Sequence, residues 1–442
     1  MAQIRARSSA ESALKSAVIK SNDGKYSIDL VTSITELCYY ESIMMDSVSV
    51  DVKFVDTGST KDLDGKTIKE AFPLTGTESV NLKLSQKIGD KEVSLGGDKE
   101  MILYVNDFSP IVEDTRKSLI NLDLRSKEYI RGQHMSVSGT FYGLVSDNIE
   151  KILKDDLKTE KELDIEPTIN TRNFTAYHKK PFYLLNWLSK QSVSSENQKK
   201  GESAGYFLYE TSEGYKYKSI DGLFGQDDQK QKKSYIYNNT PDTKAPAGYD
   251  ANIINFSESN LINVQKKAKM GTYSNRIVTF DPFTTFYQVK SNKANDENIK
   301  ISGKKLPEFN PEFDMDHTRT SYFVLDTGSF PEGNLEQQLE KSGDENFEYG
   351  EIVNQAFMRY NQFFSSQISI TIPGDFELHA GELIFVDAPQ LNIEKSDEVD
   401  RQSGGLYIIS DLCHYITPRE FRTELTLVRD SFGRKGNHTT SI

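Results

Sequence analysis

The sequence predicts a mainly β protein with α+β insertions, in which two similar antiparallel β-barrel domains accompany a mixed α/β domain and an acidic, polar insertion. Three observations predict this class. The chain is rich in aromatic residues, with 24 Phe and 22 Tyr, and in turn-forming Gly, Asn and Ser. Many short segments alternate apolar and polar residues with the two-residue period of a half-buried strand. Residues 102–126 also resemble residues 406–431, which indicates a duplication.

Length and composition exclude several classes of protein. At roughly 150 residues per domain, 442 residues suggest about three domains. The 53 Lys and Arg are outnumbered by 66 Asp and Glu, and the net charge of −13 has the wrong sign for a protein that mainly binds nucleic acid. Two cysteines exclude a disulfide scaffold and a cysteine-based metal cluster. No apolar run approaches the about 20 residues of a membrane-spanning helix, so we expect no membrane span.

Residues 1–20 are predicted to form an N-terminal arm. They carry four basic residues against one acid, with many Ala and Ser, a composition also typical of an organelle transit peptide. They lack the apolar block of a secretory signal. Their few large apolar side chains, among them Ile4, Leu14 and Val18, are not enough to fold alone, so we expect the arm to lie on a neighbouring subunit.

Residues 21–145 are predicted to form the first β-barrel. Apolar residues alternate with polar ones along three segments, and glycines punctuate the stretches between them. The alternating positions are Val48, Val50, Val52, Phe54, Leu82, Leu84, Leu122 and Leu124. This pattern favours a small antiparallel barrel or sandwich.

Residues 146–250 are predicted to form the mixed α/β domain. Apolar residues from Ile149 to Leu157 have helical spacing, and Pro181 is well placed in the first turn of a second helix. Residues 206–220 read as a hairpin that turns at Gly214, and the polar span 225–246 reads as a loop.

The second β-barrel is predicted over 251–290 and 351–432, interrupted by the polar insertion 291–350. The insertion should contain a short helix around Leu335 and Leu339. An amphipathic helix is expected from Val353 to Phe364, followed by strands, and residues 433–442 are expected to be a polar tail.

The internal repeat is the most informative feature of the sequence. Asp107-Phe108 matches Asp411-Leu412, Ile111 matches Tyr415, and the Leu-x-Leu pattern at 122–124 matches that at 425–427. Any two hairpins with a polar turn share some likeness, which is the alternative explanation. Because both segments close a strand-rich block of similar size, we expect a duplicated barrel.

No motif in the sequence supports catalysis. GESAG at 201–205 matches the nucleophile elbow and makes Ser203 a candidate nucleophile, but a polar stretch precedes it and a strand follows, which is the wrong order. Lys66 lies in a Gly-Lys-Thr sequence that lacks the upstream glycine of a phosphate-binding loop. Cys413 and His414 should point to opposite faces of a strand and cannot act together.

No pattern of metal ligands or cofactor-binding residues is present either. Asp314, Asp316 and His317 are close in sequence, but no calcium-loop glycine or later glutamate follows in register. The six histidines are scattered, at 134, 178, 317, 379, 414 and 438. Glycosylation-like triplets begin at Asn173, Asn238 and Asn437, and such short motifs arise by chance. We therefore predict no enzyme and no catalytic, cofactor or metal site.

Several stretches resemble the central baseplate hub protein of contractile-tailed, T-even-like phages (myoviruses), especially those of marine relatives. The similar segments keep the family's order along most of the chain, whereas the first twenty residues and the insertion match nothing. They are 26–58, PFYLLNWLSKQS at 181–192, GYFLYETSEGYKYKSIDGL at 205–223, 260–287 with GTYSNRI and Asp281-Pro282, 366–389, and GGLYIISDLCHYI at 404–416.

The resemblance implies a homotrimer in the virion's tail baseplate, assembled in the host cytoplasm. In such a trimer, two tube-like barrels per chain form a ring of pseudo-six-fold symmetry, which joins a three-fold central spike to the six-fold tail tube or its initiator. The spike can carry a lysozyme, and other baseplate proteins surround the hub. DNA would contact the hub only in transit through the ejection channel, so we expect the channel to be lined by carboxylates.

Two alternatives share some of these features. A hub of a bacterial, phage-tail-like injection system would have the same fold in another genomic context. A tail-associated cell-wall hydrolase would need two carboxylates across a sugar cleft, and acids are too abundant here for counting to exclude such a pair.

Overall fold

The computed structural model describes residues 13–58, 68–72, 74–88, 91–97, 100–114, 117–195, 204–225, 233–237, 245–260, 263–282, 285–293, 310–313, 317–324, 333–334, 336–337, 349–388 and 404–430. Strands predominate over helices in these residues, which confirms the mainly β class.

The first part of the chain folds into an antiparallel sheet that we call the first strand block. Its elements are β1 (Leu14–Lys20), β2 (Ser27–Asp29), β3 (Ile34–Ser42), β4 (Ser49–Asp56), α1 (Ile68–Ala71), β5 (Ser79–Ile88), β6 (Lys91–Ser94), β7 (Met101–Glu113) and β8 (Ser118–Arg125). The strand order is β2–β1–β5–β7–β8–β4–β3, with β6 beside β5. The predicted alternation is confirmed: Val50, Val52 and Phe54 are buried, while Asp51 and Lys53 reach solvent.

The predicted N-terminal arm is wrong for its second half. Leu14–Lys20 is strand β1, which pairs with β5 of the same chain, and Ala17 and Ile19 are fully buried in the core. The small Ala17 and the flanking lysines conceal the alternation that makes this segment a strand. Residues 1–12 lie outside the described residues.

A middle segment of helices and two small sheets follows the first strand block. Its elements are α2 (Lys127–His134), β9 (Val137–Phe141), α3 (Val145–Lys151) with a π-helical extension (Ile152–Asp156), β10 (Glu162–Ile165), β11 (Phe174–Lys179), α4 (Pro181–Ser189), β12 (Tyr206–Thr211), β13 (Gly214–Ser219) and α5 (Ile220–Phe224). The predicted helices and the 206–220 hairpin are present, with Pro181 in the first turn of α4. The segment has its own apolar core, which includes Ile149, Leu153 and Leu185.

A second group of strands, mainly antiparallel, forms from later parts of the chain, and we call it the second strand block. Its strands are β14 (Lys233–Ile236), β15 (Ala251–Asn252), β16 (Asn255–Asn260), β20 (Ser366–Pro373), β21 (Leu383–Asp387), β22 (Gly405–Ile416) and β23 (Phe421–Arg429). Strand β14 lies inside the stretch predicted as a loop. The polar Lys233 and Ser234 conceal this strand in the sequence, and Lys233 is buried because it pairs with Asp375 and Glu377.

A separate three-stranded sheet forms around the insertion, which changes the predicted boundary of the second barrel. Its elements are α6 (Val264–Lys269), β17 (Ser274–Asp281), β18 (Phe286–Lys293), a 3₁₀ turn (Pro311–Phe313), β19 (Thr320–Val324) and α7 (Tyr349–Phe363). Of the predicted 251–290 span, only β15 and β16 join the second strand block. Strand β17 pairs instead with β18 and β19, and Tyr349 and Val353 of α7 pack on its Ile277. Of the predicted short helix, Leu335 and Leu339 lie outside the described residues, as does the 433–442 tail.

The two strand blocks are parts of one 15-stranded sheet. Among the described strands, the pairings follow an open path and do not trace two closed barrels. One apolar core extends under both blocks, from Val50 and Leu122 in the first to Ile370 and Leu425 in the second.

Candidate assembly interface

The two hairpins that form the sequence repeat have the same backbone register as far as Pro110 and His414. A second bulge in the first hairpin then gives Val112 the position of Tyr415, so the predicted match of Ile111 with Tyr415 is wrong by one residue. In each, an apolar pair is followed by a β-bulge and then by the aspartate that the sequence alignment matched. The pairs before the bulge are Val105–Leu124 and Ile409–Leu427; those after it are Asp107–Asp123 and Asp411–Thr426. A bulge at the same place in both hairpins supports a duplication, because bulges are specific features of a strand pair.

The duplication extends to the order of five strands. The first strand block has the order β3–β4–β8–β7–β5 and the second has β16–β20–β23–β22–β21, with every neighbouring pair antiparallel in both. The blocks differ at the sixth position, where β1 is antiparallel to β5 but β14 is parallel to β21. The predicted duplication is confirmed at the level of strand order.

The two blocks meet edge to edge along a ladder that we call the internal seam. Strand β22 pairs with β3 from Asp411 opposite Ser42 to Ile416 opposite Leu37. Side chains on the core side of this ladder are buried in both strands: Leu37, Tyr39 and Glu41 in β3, and Leu412, His414 and Ile416 in β22. The seam is thus part of the core, and it fixes the two blocks relative to each other.

A buried carboxylate, Glu41, ties the internal seam to the middle segment. It accepts hydrogen bonds from the hydroxyl of Tyr39 (2.7 Å) and from the backbone N–H groups of Ser212 (2.8 Å) and Ala380 (3.0 Å). Its Oε1 lies 3.3 Å from His379 Nδ1. Burial alone would raise the pKa of Glu41, but the charge of His379 and these hydrogen bonds hold it at about 2.

The same contact with Glu41 raises the pKa of His379. Burial would lower the pKa of His379, but the nearby carboxylates, above all Glu41, raise it above the usual value. Each partner therefore favours the charged form of the other, which offsets part of the cost of burying the pair.

A second buried ion cluster holds the middle segment against the first strand block. Lys161 pairs with Glu128 (2.9 Å) and with Glu210, and both carboxylates are almost fully buried. Glu210 also accepts from the N–H of Val48, which precedes β4 (3.1 Å). The charges of Glu210 and Glu128 raise the pKa of Lys161 despite its burial.

The chain's two cysteines lie on adjacent strands of the internal seam. Cys413 is opposite Tyr40, and Cys38 is opposite Tyr415, two positions further along the ladder. Cys413 and His414 alternate between the two faces of β22, as the sequence predicted, and His414 is the buried member.

Most residues singled out for catalysis or metal binding lie outside the described residues. Ser203, Lys66, Asp314 and Asp316 are in this group, as are Asn238 and Asn437. His317 is half-buried, and Asn173 accepts a hydrogen bond from the N–H of Gly143 at 3.4 Å. Within the described ranges, no cluster of three or more His, Cys, Asp or Glu could hold a metal ion. No described helix is long and apolar enough to cross a membrane.

A cavity lies between the two blocks and the middle segment. Its volume is about 780 Å³, and its walls are rich in carboxylates, with His379 at one side. The acidic lining residues are Glu92, Glu162, Asp164, Glu213 and Glu377.

The buried ion clusters were not found from the sequence. One signal was available for Glu41, because it shares the alternating face of β3 with Leu37 and Tyr39. A carboxylate on an otherwise apolar face predicts a buried charge that needs a partner. The identity of that partner depends on a contact 338 residues away, which no local pattern encodes.

Comparison with known proteins places this architecture among phage tail proteins. No family model matches the chain. A probable baseplate hub protein of Vibrio phage KVP40 is 22% identical over 390 residues, which cover 83% of this chain and 85% of that protein. The 43 kDa tail protein of prophage MuSo2 from Shewanella oneidensis is 12% identical with a TM-score of 0.51, over 94% of this chain and 98% of that one.

A tail protein from Neisseria meningitidis MC58 has the same fold. It is 8% identical with a TM-score of 0.52, and the match covers 95% of this chain and 97% of that one. The curated relative and the shared fold confirm the family that the sequence resemblance predicted. Over most of its length the chain is therefore similar to a probable baseplate hub protein of a Vibrio phage, and it shares the fold of two phage tail proteins.

Proposed function

We propose that three copies of this chain form the adaptor between a three-fold central spike and the six-fold tail tube, and that their ring encloses part of the DNA ejection channel. The observation that carries this proposal is the duplicated sheet. Two blocks of the same strand order are fixed side by side by the internal seam. A cyclic trimer of such chains presents six similar units on one side while it keeps true three-fold symmetry.

The charges on the solvent face of the joined sheet suit a channel for DNA. This face is opposite to the core on β3, β4, β7, β8, β20, β22 and β23. Its described acidic side chains are Glu36, Asp51, Asp107, Asp123, Asp411 and Glu424, and its basic ones are Lys53, Arg125 and Arg422. A surface with this excess of carboxylates repels the phosphate backbone, so passing DNA does not adhere.

The adaptor needs partners on both sides of the ring. We assign the spike protein to one side and the tube or tube-initiator protein to the other, with further baseplate proteins at the periphery. In this role the chain acts as a structural subunit and not as an enzyme. The purified chain should therefore release no fragments from cell-wall peptidoglycan, and release that persists through purification would support the hydrolase alternative.

Light scattering of the purified full-length chain tests the trimer, and electron cryomicroscopy of the particle tests the channel. We expect the mass of three chains and a ring of six lobes whose axial side chains are mainly Asp and Glu. A particle that stays monomeric or dimeric, even with spike and tube proteins present, would refute the adaptor. A lumen dominated by Lys and Arg would refute the channel argument while leaving the trimer intact.

A further inference from the structure

Each of the two strands of the internal seam has a counterpart in the other block. The matching stretch of edge in each counterpart has no strand paired along it among the described residues. The duplication makes β7 the counterpart of β22 and β16 the counterpart of β3. On its outer edge, β7 pairs with β5 only over Met101–Tyr104, and among the described strands none pairs with the rest of that edge. Strand β16 pairs with β20 on one side, and no described strand lies on its other side.

Side chains of β16 are more exposed than their counterparts in β3, as expected for a strand that has no neighbour on one side. Leu37, Cys38 and Tyr39 of β3 are buried beneath or beside the internal seam. The register through β4 and β20 makes Phe256, Ser257 and Glu258 their counterparts in β16, with Leu37 opposite Val52 and Phe256 opposite Ile370. Phe256 is half-buried, and Ser257 and Glu258 are exposed.

The open edge of β7 carries exposed apolar side chains. Ile111 is 48% exposed and Val112 is 53% exposed, whereas Tyr415, the counterpart of Val112 in β22, is half-buried. Next to β16, Ile254 is 45% exposed. An open strand edge with apolar side chains is a surface that pairs readily with another chain.

We propose that β7 of one copy pairs antiparallel with β16 of the next copy, in the register of the internal seam. This inference rests on the proposed trimer and names the surface that closes it. In this register, Pro110 lies opposite Glu258 of the neighbouring copy, as His414 lies opposite Tyr39 in the internal seam. Val112 likewise lies opposite Ser257, as Tyr415 lies opposite Cys38. Three internal seams then alternate with three seams between copies around the ring.

Pro110 distinguishes the two kinds of seam. Proline has no N–H to donate, and within sheets it occupies edge strands with its nitrogen toward the open side. The seam between copies therefore has one donor fewer than the internal seam. An edge that contains proline also resists indiscriminate pairing with other strands, which a chain that must stay soluble before assembly requires.

Engineered disulfides test the register. The variant with Val112→Cys and Ser257→Cys places both thiols on the same face of the proposed ladder, directly opposite each other. Under mild oxidation it should give covalent dimers and trimers and nothing larger on a denaturing, non-reducing gel. The matched control combines Val112→Cys with Thr371→Cys on β20, one strand beyond β16. Both single variants serve as controls for the two native thiols.

Light scattering on the reduced proteins separates the two levels of the proposal. A trimer that does not cross-link, or that cross-links equally well in the Thr371 control, shows that the ring closes through another surface and overturns this inference alone. A monomer or dimer without cross-links overturns the trimer as well. In a second test, Val112→Asp should weaken trimer association by about tenfold or more while Val112→Thr leaves it nearly unchanged. Equal association by both variants would also contradict the inference.

Discussion

His414 should make the stability of this chain fall as the solution is acidified, and replacement with phenylalanine should remove that dependence. The imidazole is fully buried on the core side of the internal seam. Its Nδ1 lies 2.9 Å from Thr423 Oγ1, and its Nε2 has no hydrogen-bond partner among the described residues. The rings of Tyr39 and Phe376 pack around it. Burial, opposed in part by the charge of Glu41, lowers the pKa of His414 to about 3.

The sign and size of the effect follow from this shift. The pKa in the folded chain lies below the usual 6.5, so the folded chain favours neutral His414. This contribution to stability is complete above pH 6.5 and is lost as the pH falls towards about 3. At about pH 5, protonation of His414 in the unfolded chain lowers the free energy of unfolding by about 2 kcal/mol. This corresponds to about 1.4 kcal/mol for each pH unit below the unfolded pKa.

Urea unfolding of the wild type and of His414→Phe, followed by circular dichroism at about pH 8 and about pH 5, measures this difference. Thr423 keeps the hydrogen bond that it accepts from the N–H of Asp375 (3.0 Å), so the variant should fold. When the pH falls from about 8 to about 5, the free energy of unfolding of His414→Phe should decrease by about 2 kcal/mol less than that of the wild type. The exposed His134→Gln serves as a control and should follow the wild type. Equal losses in wild type and His414→Phe would refute the burial argument.

Two further perturbations concern the buried ion clusters. Glu41→Gln should destabilise the chain by about 3 kcal/mol near neutral pH, because it leaves His379 buried without its counter-charge. Because its pKa is raised, His379 stabilises the fold at pH values below the usual histidine pKa, and this contribution is lost as the pH rises through the raised value. Glu41→Gln should abolish this loss in the same urea experiment. Lys161→Met should cost about 3 kcal/mol, whereas Lys154→Met, which breaks an exposed pair on one helix, should cost less than about 0.5 kcal/mol. Equal costs for the two lysine variants would contradict the role assigned to burial.

Local patterns predicted the elements well where one face of a strand or helix is apolar. The alternation from Val48 to Phe54 gave a strand, and Pro181 with its following apolar residues gave a helix, because both signals reside within a few neighbouring residues. The predicted internal repeat was also confirmed, because the Leu-x-Leu pattern and the matched aspartates fix the register of both hairpins.

Pairing between distant strands could not be predicted in the same way. Strands β14 and β17 take parallel partners, β21 and β19, and alternation along a strand carries no information on which strand lies beside it. The segment Leu14–Lys20 was assigned to a neighbouring subunit because residues 1–20 hold few large apolar side chains, and a weak alternation did not reveal the strand. The candidate interface was likewise inaccessible from sequence, since it depends on comparing the edges of two folded blocks.

If the proposed ring forms, the internal seam has a consequence for the kinetics of its assembly. Because β3 and β22 belong to one chain, half of the contacts in a six-unit ring form by folding, at a high effective concentration and independently of protein concentration. Closure is then third order in chain concentration, whereas six separate single-block subunits would give a sixth-order dependence. The proposed ring can then form at low protein concentration, and the fused halves are free to diverge in sequence towards a three-fold partner.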